Sequence, residues 1–252
     1  MSATVQEHFA AGVLLLRMHR PERRNAMNAA MYSALADAFS RAADDHAVRA
    51  VVLAGSADCF TSGNDLTEPP DGLDGPLGRF IQAVMDCEKP LLAAPCGLAI
   101  GIGLTLLPYC DLVVCGERTS FQAPFVRLGV CPELGSSYML TRLMGHQRAA
   151  AVLLTGEAFD AAAAQQAGLV WQVVPNAQAE AVAVAAAERM ARLPPRAVRA
   201  TKALMRRWSH ATAHEANRVE MDLLVQLGAG PEAQEAVAAF LAKRAPDFSR
   251  FD

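Results

Sequence analysis

The strongest constraint on this chain is a set of short apolar runs, each closed by a helix breaker. "GVLLLRMHR" is dense in strand-compatible residues and stops at Pro21, so a strand is expected over Val13 to Met18. "VRAVVLAGS" closes on Gly55, and "LLAAPCG" closes on Pro95 and Gly97; both read as buried strands. "DLVVCGE" and "TSFQAP" also read as strands. Between these runs the apolar period changes. Met31, Leu35, Ala38, Phe39 and Ala42 share one face of a helix expected from about Ala29 to Asp45. "GPLGRFIQAVMDCEKP" reads as a helix ending before Pro90, and "LTLLPYC" as helical after a glycine cluster. From about Ser136 the pattern is nearly all helical, interrupted by one strand, "LVWQVVP". A last helix starts after Gly230, with Pro231 in its first turn and acids just behind, and runs to about Arg244.

Strands alternating with helices, then helices alone, imply an α/β layered core followed by a helical segment. We place the core at residues 1–195 and the C-terminal helical segment at 196–252. The Ala-rich stretches "HQRAAAVLLTG" and "AQAEAVAVAAAERMARL" can pack on their own chain or on a neighbouring subunit. The segment Thr67 to Gly78 carries three prolines and three glycines, the composition of a mobile loop.

Composition narrows the function classes. A net charge of −3 and a pI of about 6.1 give no electrostatic reason to expect nucleic acid or an acidic membrane as partner. The first residues lack a basic-then-apolar leader pattern, and no apolar run approaches the roughly 18 residues of a membrane span. Six cysteines form no C-x-x-C and sit mostly in apolar runs, so they read as small buried hydrophobes in a reduced, cytoplasmic setting. His210 and His214 are four apart on an expected helix. With no Glu between them at metalloprotease spacing, a solvated face is the expectation and no metal site is assigned.

Two loops follow strand-like runs and carry glycines: "CFTSGNDL" and "CGLAIGIGLTLL". Glycine lets a backbone approach a ligand and turn its N–H groups outward. Two such turns aimed at one point would stabilise an oxyanion; singly, each is explained by a tight turn. Gly101-x-Gly103 also matches part of a dinucleotide fingerprint, but Leu106 stands where the third glycine belongs. A third feature is "VCPELGSS". Its Glu133 is the one acid between Glu117 and Glu157. On its own this Pro-x-x-Gly setting reads as a surface turn, with Glu133 a solvated acid or a cap for the helix near Ser136. Ser136 and Ser137 read as N-caps, since no G-x-S-x-G elbow surrounds them. Cys131 stands beside Glu133 without the positive surroundings a reactive thiolate needs.

"CFTSGNDL", "APCGLAIGIGLTLLPYCDLVV", "FQAPFVRLGVCPELGSSYMLTRLMG" and "LTGEAFDAAAAQQAGLVWQVVP", in that order, resemble the enoyl-CoA hydratase/isomerase (crotonase) family. "HRPERRNAMN" and "RATKALMRR" extend the resemblance over most of the chain. The resemblance implies an α/β crotonase (ClpP-like) fold of repeated β-β-α units, with a C-terminal helical trimerisation segment and a homotrimer or hexamer. It implies a coenzyme A thioester substrate whose carbonyl becomes an enolate, with no separate cofactor and no metal. The backbone N–H groups that hold the oxygen map to Asn64 and Ile102. Ala26, Ser62, Gly63, Asp65, Leu66, Gly101, Gly103 and Phe125 map along the substrate. Asp65 also suits bracing of its own loop, and Asp111 a structural role. Arg24, first by motif position, and Lys243 are the basic residues expected at the coenzyme's phosphates.

The resemblance also separates branches of the family. Hydratases similar to this chain use two glutamates, at places held here by Thr105 and Phe125. Neither residue replaces a carboxylate. Peroxisomal-type Δ3,Δ2-enoyl-CoA isomerases place a glutamate in a Pro-Glu-x-x-Ser-Ser setting, here Pro132 to Ser137. Shifting a double bond needs one base and an oxyanion site. A carboxylate in an apolar pocket has its pKa raised towards the working range. The expectation is a 3-enoyl-CoA isomerase with Glu133 as its base. An enoyl-CoA hydratase, another thioester-enolate enzyme of the same fold, and a non-catalytic acyl-CoA-binding protein are the alternatives.

Overall fold

The computed structural model describes residues 4–68 and 73–251. The strands are β1 (Val5–Ala10), β2 (Val13–Met18), β3 (Ala50–Ala54), β4 (Cys59–Thr61) and β5 (Leu91–Ala94), then β6 (Leu98–Ile100), β7 (Leu112–Gly116), β8 (Ser120–Gln122), β9 (Phe159–Asp160) and β10 (Gln172–Val174). The α-helices are α1 (Ala29–Asp44), α2 (Pro76–Met85), α3 (Ile102–Thr105), α4 (Ser136–Met144) and α5 (His146–Thr155). Five more follow: α6 (Ala161–Gln166), α7 (Ala179–Ala191), α8 (Pro195–Arg206), α9 (His210–Gly228) and α10 (Pro231–Leu241).

The larger sheet runs β1-β2-β3-β5-β7-β10, with β1 antiparallel to β2 and the other neighbours parallel. Its central strands are apolar throughout because both faces are covered. Leu14, Leu16, Val51, Leu53, Leu91, Ala93, Val113 and Cys115 face the main core under α1 and α2. Val13, Leu15, Val52, Leu92 and Val114 face a second core closed by Ala179, Ala183, Ala186 and Ala187 of α7. The alanines of α7 thus pack on the chain's own sheet, which answers for "AQAEAVAVAAAERMARL" the question the sequence left open.

A smaller sheet runs β4-β6-β8-β9. Consecutive strands alternate between the two sheets: β3 then β4, β5 then β6, β7 then β8. A helix follows the first two pairs, and a 3-10 turn over Val126–Leu128 follows the third. This is the repeated β-β-α pattern expected.

Several local expectations need correction. β4 and β6 lie inside stretches read as loops, and β1 and β9 were not anticipated. β4, β6 and β9 have only two or three residues and carry little periodicity, and β1 buries only Val5, so it shows no apolar run. "LVWQVVP" is a strand only over Gln172–Val174. "LTLLPYC" divides into α3 and a 3-10 turn at Leu107–Tyr109, because Pro108 has no N–H to continue the helix. The last helix ends at Leu241 rather than Arg244, and Lys243 takes a left-handed φ of 52°. The loop from Thr67 gives way to α2 at Pro76, not after Gly78. Residues 69–72, part of the segment expected to be mobile, lie outside the described residues. No helix among the described residues is long and apolar enough to cross a membrane.

Candidate active site

β4 and β6 are parallel neighbours, so the loops leaving their C-terminal ends lie side by side. Their backbones meet with no side chains between them. A Cβ on Gly63 would sit 3.1 Å from the Ile100 carbonyl oxygen, and one on Gly101 would sit 3.8 Å from Gly63 Cα. Both glycines have positive φ, 92° and 57°, which disfavours any side chain there. The Gly63 N–H donates to Thr61 Oγ1 at 3.1 Å. Met27 bridges the loop, donating its N–H to the Gly63 carbonyl and accepting from the Asp65 N–H. Among the described residues, neither the Asn64 N–H nor the Ile102 N–H donates to a protein acceptor. The Asn64 side-chain oxygen accepts from the Tyr32 hydroxyl.

The first loop is braced from "RRNAMN". Buried Asn25 donates to the carbonyls of Cys59 and Phe60 at 2.9 and 3.2 Å, and Thr61 Oγ1 donates to the Asn25 carbonyl at 2.7 Å. Asp65 braces it as expected. It accepts from the Thr67 N–H and hydroxyl and pairs with Arg20 at 3.0 Å. The Thr67 hydroxyl, chiefly, holds the Asp65 carboxyl below the usual range.

Glu133 is fully buried, at 0% exposure, and caps no helix. Its Oε1 accepts from Thr105 Oγ1 at 2.6 Å, and its Oε2 has no protein partner. Thr105 ends the single turn of α3 that Ile102 begins. Three residues of helix rise about 4.5 Å, so the carboxylate is anchored within a turn of the Ile102 N–H. Burial pushes the Glu133 carboxyl up to about 8; the Thr105 hydrogen bond opposes this and the nearby Glu220 adds to it.

The turn carrying Glu133 is held in an unusual backbone. Leu134 and Gly135 both take left-handed φ, 63° and 62°. Such a conformation is costly for leucine and persists only where neighbours over-determine it. The Tyr109 hydroxyl donates to the Leu134 carbonyl at 2.6 Å, and Ser136 Oγ donates to the Glu133 carbonyl at 2.6 Å. A Cβ on Gly135 would lie 2.7 Å from the Ala213 carbonyl oxygen, so only glycine lets α9 approach. Glu220 of α9 accepts from the Ser137 N–H at 2.8 Å. The cap of α4 is therefore a carboxylate from a distant helix, and the expected N-cap roles of Ser136 and Ser137 are corrected. Gly135 holds that position and Ser136 is already helical.

Residues 8–250 match the enoyl-CoA hydratase/isomerase family. The chain belongs to this family. The 2,3-dehydroadipyl-CoA hydratase of Escherichia coli (strain K12) is 36% identical over 241 residues, covering 94% of both chains. Enoyl-CoA delta isomerase 2 of Homo sapiens is 32% identical over 244 residues, covering 92% of this chain and 62% of that protein. The chain therefore spans less than two thirds of the human relative's length. Among solved structures, Pseudomonas aeruginosa OdaA superposes with a TM-score of 0.92 at 40% identity, covering 95% of this chain and 99% of that one. An enoyl-CoA hydratase/isomerase from Pseudoalteromonas atlantica T6c also gives 0.92, at 36% identity, covering 97% and 99%. The two-sheet β-β-α architecture is accordingly the crotonase fold.

Within this family member, the structure brings Ser62, Gly63, Asn64, Gly101, Ile102 and Gly103 together on two adjoining loops. Glu133 joins them through Thr105. Half-buried Ala26 adjoins the Met27–Asn64 bridge, and half-buried Leu66 follows Asp65. Arg24 is exposed, and its carbonyl accepts the Ser62 N–H at 3.1 Å, which sets it beside the first loop. Phe125 is buried, and its carbonyl accepts from Leu128 and Val130 on the approach to Glu133. Lys243 is exposed beyond α10, and no described contact ties it to these loops. The Cys131 thiol is pushed up by burial, which fits the unreactive reading. Lys202 pairs with Asp111 at 2.7 Å, and Asp111 accepts from the Leu91 N–H, a structural role.

Tyr109, Asn25 and Glu220 were missed. Glu220 left a signal: Ala213, Asn217, Glu220, Met221 and Leu224 recur at helical spacing and are all buried. That pattern puts two polar residues on an apolar face.

Proposed function

We propose that the chain shifts the double bond of a 3-enoyl-CoA thioester to the 2-position, with Glu133 as the one base. The reading rests on a single observation: the residue standing where a hydratase carboxylate is expected, Thr105, donates to the buried Glu133 carboxylate at 2.6 Å. Glu133 takes a proton from C2, electrons move through the carbonyl to give a dienolate, and the same proton returns at C4. No water is consumed and no group leaves. The N–H groups of Asn64 and Ile102 hold the negative oxygen, where fixed donors are worth most. A carboxyl pushed up to about 8 is a far stronger base than an exposed glutamate once ionised. Arg24 and Lys243 are proposed to pair with the coenzyme's phosphates.

Hydration is the second reading. The Escherichia coli relative is named a hydratase, the human one an isomerase. A second buried carboxylate, Glu220, stands close enough to Glu133 to raise its pKa, as two-acid chemistry would require. Its Oε1 is engaged at the Ser137 N–H, and buried Phe125 offers no proton relay, so the one-base route is favoured.

A homotrimer is proposed on the resemblance. Exposed Leu204, Met205 and Trp208, with Phe240 and Leu241, give the C-terminal helices apolar surface for it; native mass spectrometry would read the stoichiometry. Six free cysteines fit a reducing, cytoplasmic setting. The deciding experiment is Glu133→Gln assayed on 3-enoyl thioesters. Turnover should fall about 10²- to 10⁴-fold, the usual weight of a general base, with acyl-CoA binding retained. Near-normal turnover would overturn the assignment. Wild-type binding without turnover on any enoyl isomer would instead support a silent acyl-CoA-binding protein.

A further inference from the structure

On a face described by neither catalytic loop, three side chains converge. Asp86 caps the C-terminus of α2; His210 opens α9, and His214 follows one turn later on the same side. Both imidazole Nε2 atoms lie 3.0 Å from Asp86 Oδ1 and 3.2 Å from each other. The sequence offered only the two histidines; the fold supplies the third group from a residue 124 positions away from His210.

Hydrogen bonds alone do not satisfy this triangle. If each Nε2 carries a proton to donate to Oδ1, the 3.2 Å edge sets two donors against each other. If one Nε2 is bare and accepts from the other, its own contact with Oδ1 sets two acceptors together. Any neutral protonation scheme leaves one edge repulsive. A cation in the centre uses a lone pair from each of the three atoms and removes the conflict. Metal–ligand distances of about 2.0–2.2 Å give ligand–ligand edges of about 2.8–3.6 Å across octahedral and tetrahedral geometries. The observed edges fall inside that range. The carboxylate is also held in the orientation a metal ligand needs. Gln82 donates its side-chain N–H to Asp86 Oδ2, leaving Oδ1 for the imidazoles. Such outer-shell partners are typical of built metal sites.

We propose that Asp86, His210 and His214 form a binding site for a divalent transition cation of the zinc class, separate from the thioester chemistry. Two imidazoles and one carboxylate suit zinc, cobalt or nickel over magnesium or calcium. Three protein ligands, Asp86, His210 and His214, with side-chain exposures of 43%, 44% and 25%, leave the remaining coordination open to water or another ligand. The ion ties the end of α2 to the start of α9, the helix that carries Glu220.

The test is calorimetric titration of the full-length, chelator-treated protein with zinc chloride, alongside cobalt absorption spectroscopy. Wild type should bind one zinc per chain, with cobalt bands of low coordination number and nitrogen–oxygen ligation. His210→Ala and His214→Ala should each weaken binding at least tenfold, and Gln82→Ala about tenfold through the outer shell. All three variants should keep wild-type thioester turnover, which reports that they are folded. Magnesium should give no binding. No zinc binding by wild type would overturn the proposal. Zinc binding of unchanged affinity in the His210→Ala/His214→Ala double variant would also overturn it.

Discussion

Replacing Glu133 with Gln should change how stability depends on pH, apart from its effect on turnover. In the folded protein the carboxyl is pushed from 4.5 up to about 8 by burial. Between those values the folded state keeps a proton that the unfolded state has released. Wild-type stability therefore falls as pH rises from about 4.5 to about 8, then levels off. At about 1.4 kcal/mol per pH unit, that interval caps the loss at about 5 kcal/mol. Gln does not titrate. Its carbonyl can still accept from Thr105, while its amide nitrogen takes the place of Oε2, which has no protein partner. That mismatch costs about 1–3 kcal/mol, the same at every pH. The difference between the two proteins should thus swing in the variant's favour by about 3–4 kcal/mol from pH 5 to pH 8. Urea denaturation at half-unit pH steps would measure it. Glu220, also raised by burial, titrates in both proteins and cancels to first order. Parallel stability curves would refute the claim that Glu133 is buried with its pKa raised.

Removing the donor with Thr105→Val should push the Glu133 carboxyl higher still. The rise of kcat/KM with pH, expected near 8 for wild type, should move to more alkaline pH, and activity at pH 7 should drop about tenfold or more. Glu220→Gln should move the same profile towards acid, since Glu220 raises Glu133. Truncation by Glu220→Ala should in addition cost about 1–2 kcal/mol through the lost cap of α4, read by thermal denaturation. Gly103→Ala places a Cβ 2.5 Å from Thr61 Cγ2. It should destabilise by about 1–3 kcal/mol and lower kcat by disturbing the Ile102 N–H.

The buried strands were legible because each is covered on both faces and so reads as an unbroken apolar run. β2 ends before Pro21 and α1 starts at Ala29 as read, the start fixed in the fold by Asn28 accepting from the Met31 N–H. Of the second sheet only β8 was legible, within "TSFQAP". Cys59–Thr61 and Leu98–Ile100 pair with each other across the fold, and three residues leave no period to detect. At the candidate site, the residues with local signatures were the glycines Gly63 and Gly101, which the structure sets side by side, and the isolated acid Glu133, which it buries. What the sequence could not show is what holds that acid. Tyr109, Thr105 and Glu220 reach Glu133 or its turn from three different elements, through contacts set by tertiary packing. The same applies to Asp86, which meets two histidines that looked solvent-facing on their own helix.

The most direct measurement is the ratio of two specificity constants for wild-type protein: isomerisation of a 3-enoyl thioester against hydration of crotonyl-CoA. A missing carboxylate is worth at least about a hundredfold in proton transfer. On the one-base proposal, which takes Thr105 and Phe125 to stand where the resemblance puts the hydratase glutamates, isomerisation should exceed hydration by about that factor or more. Hydration equal to or faster than isomerisation would contradict the one-base account.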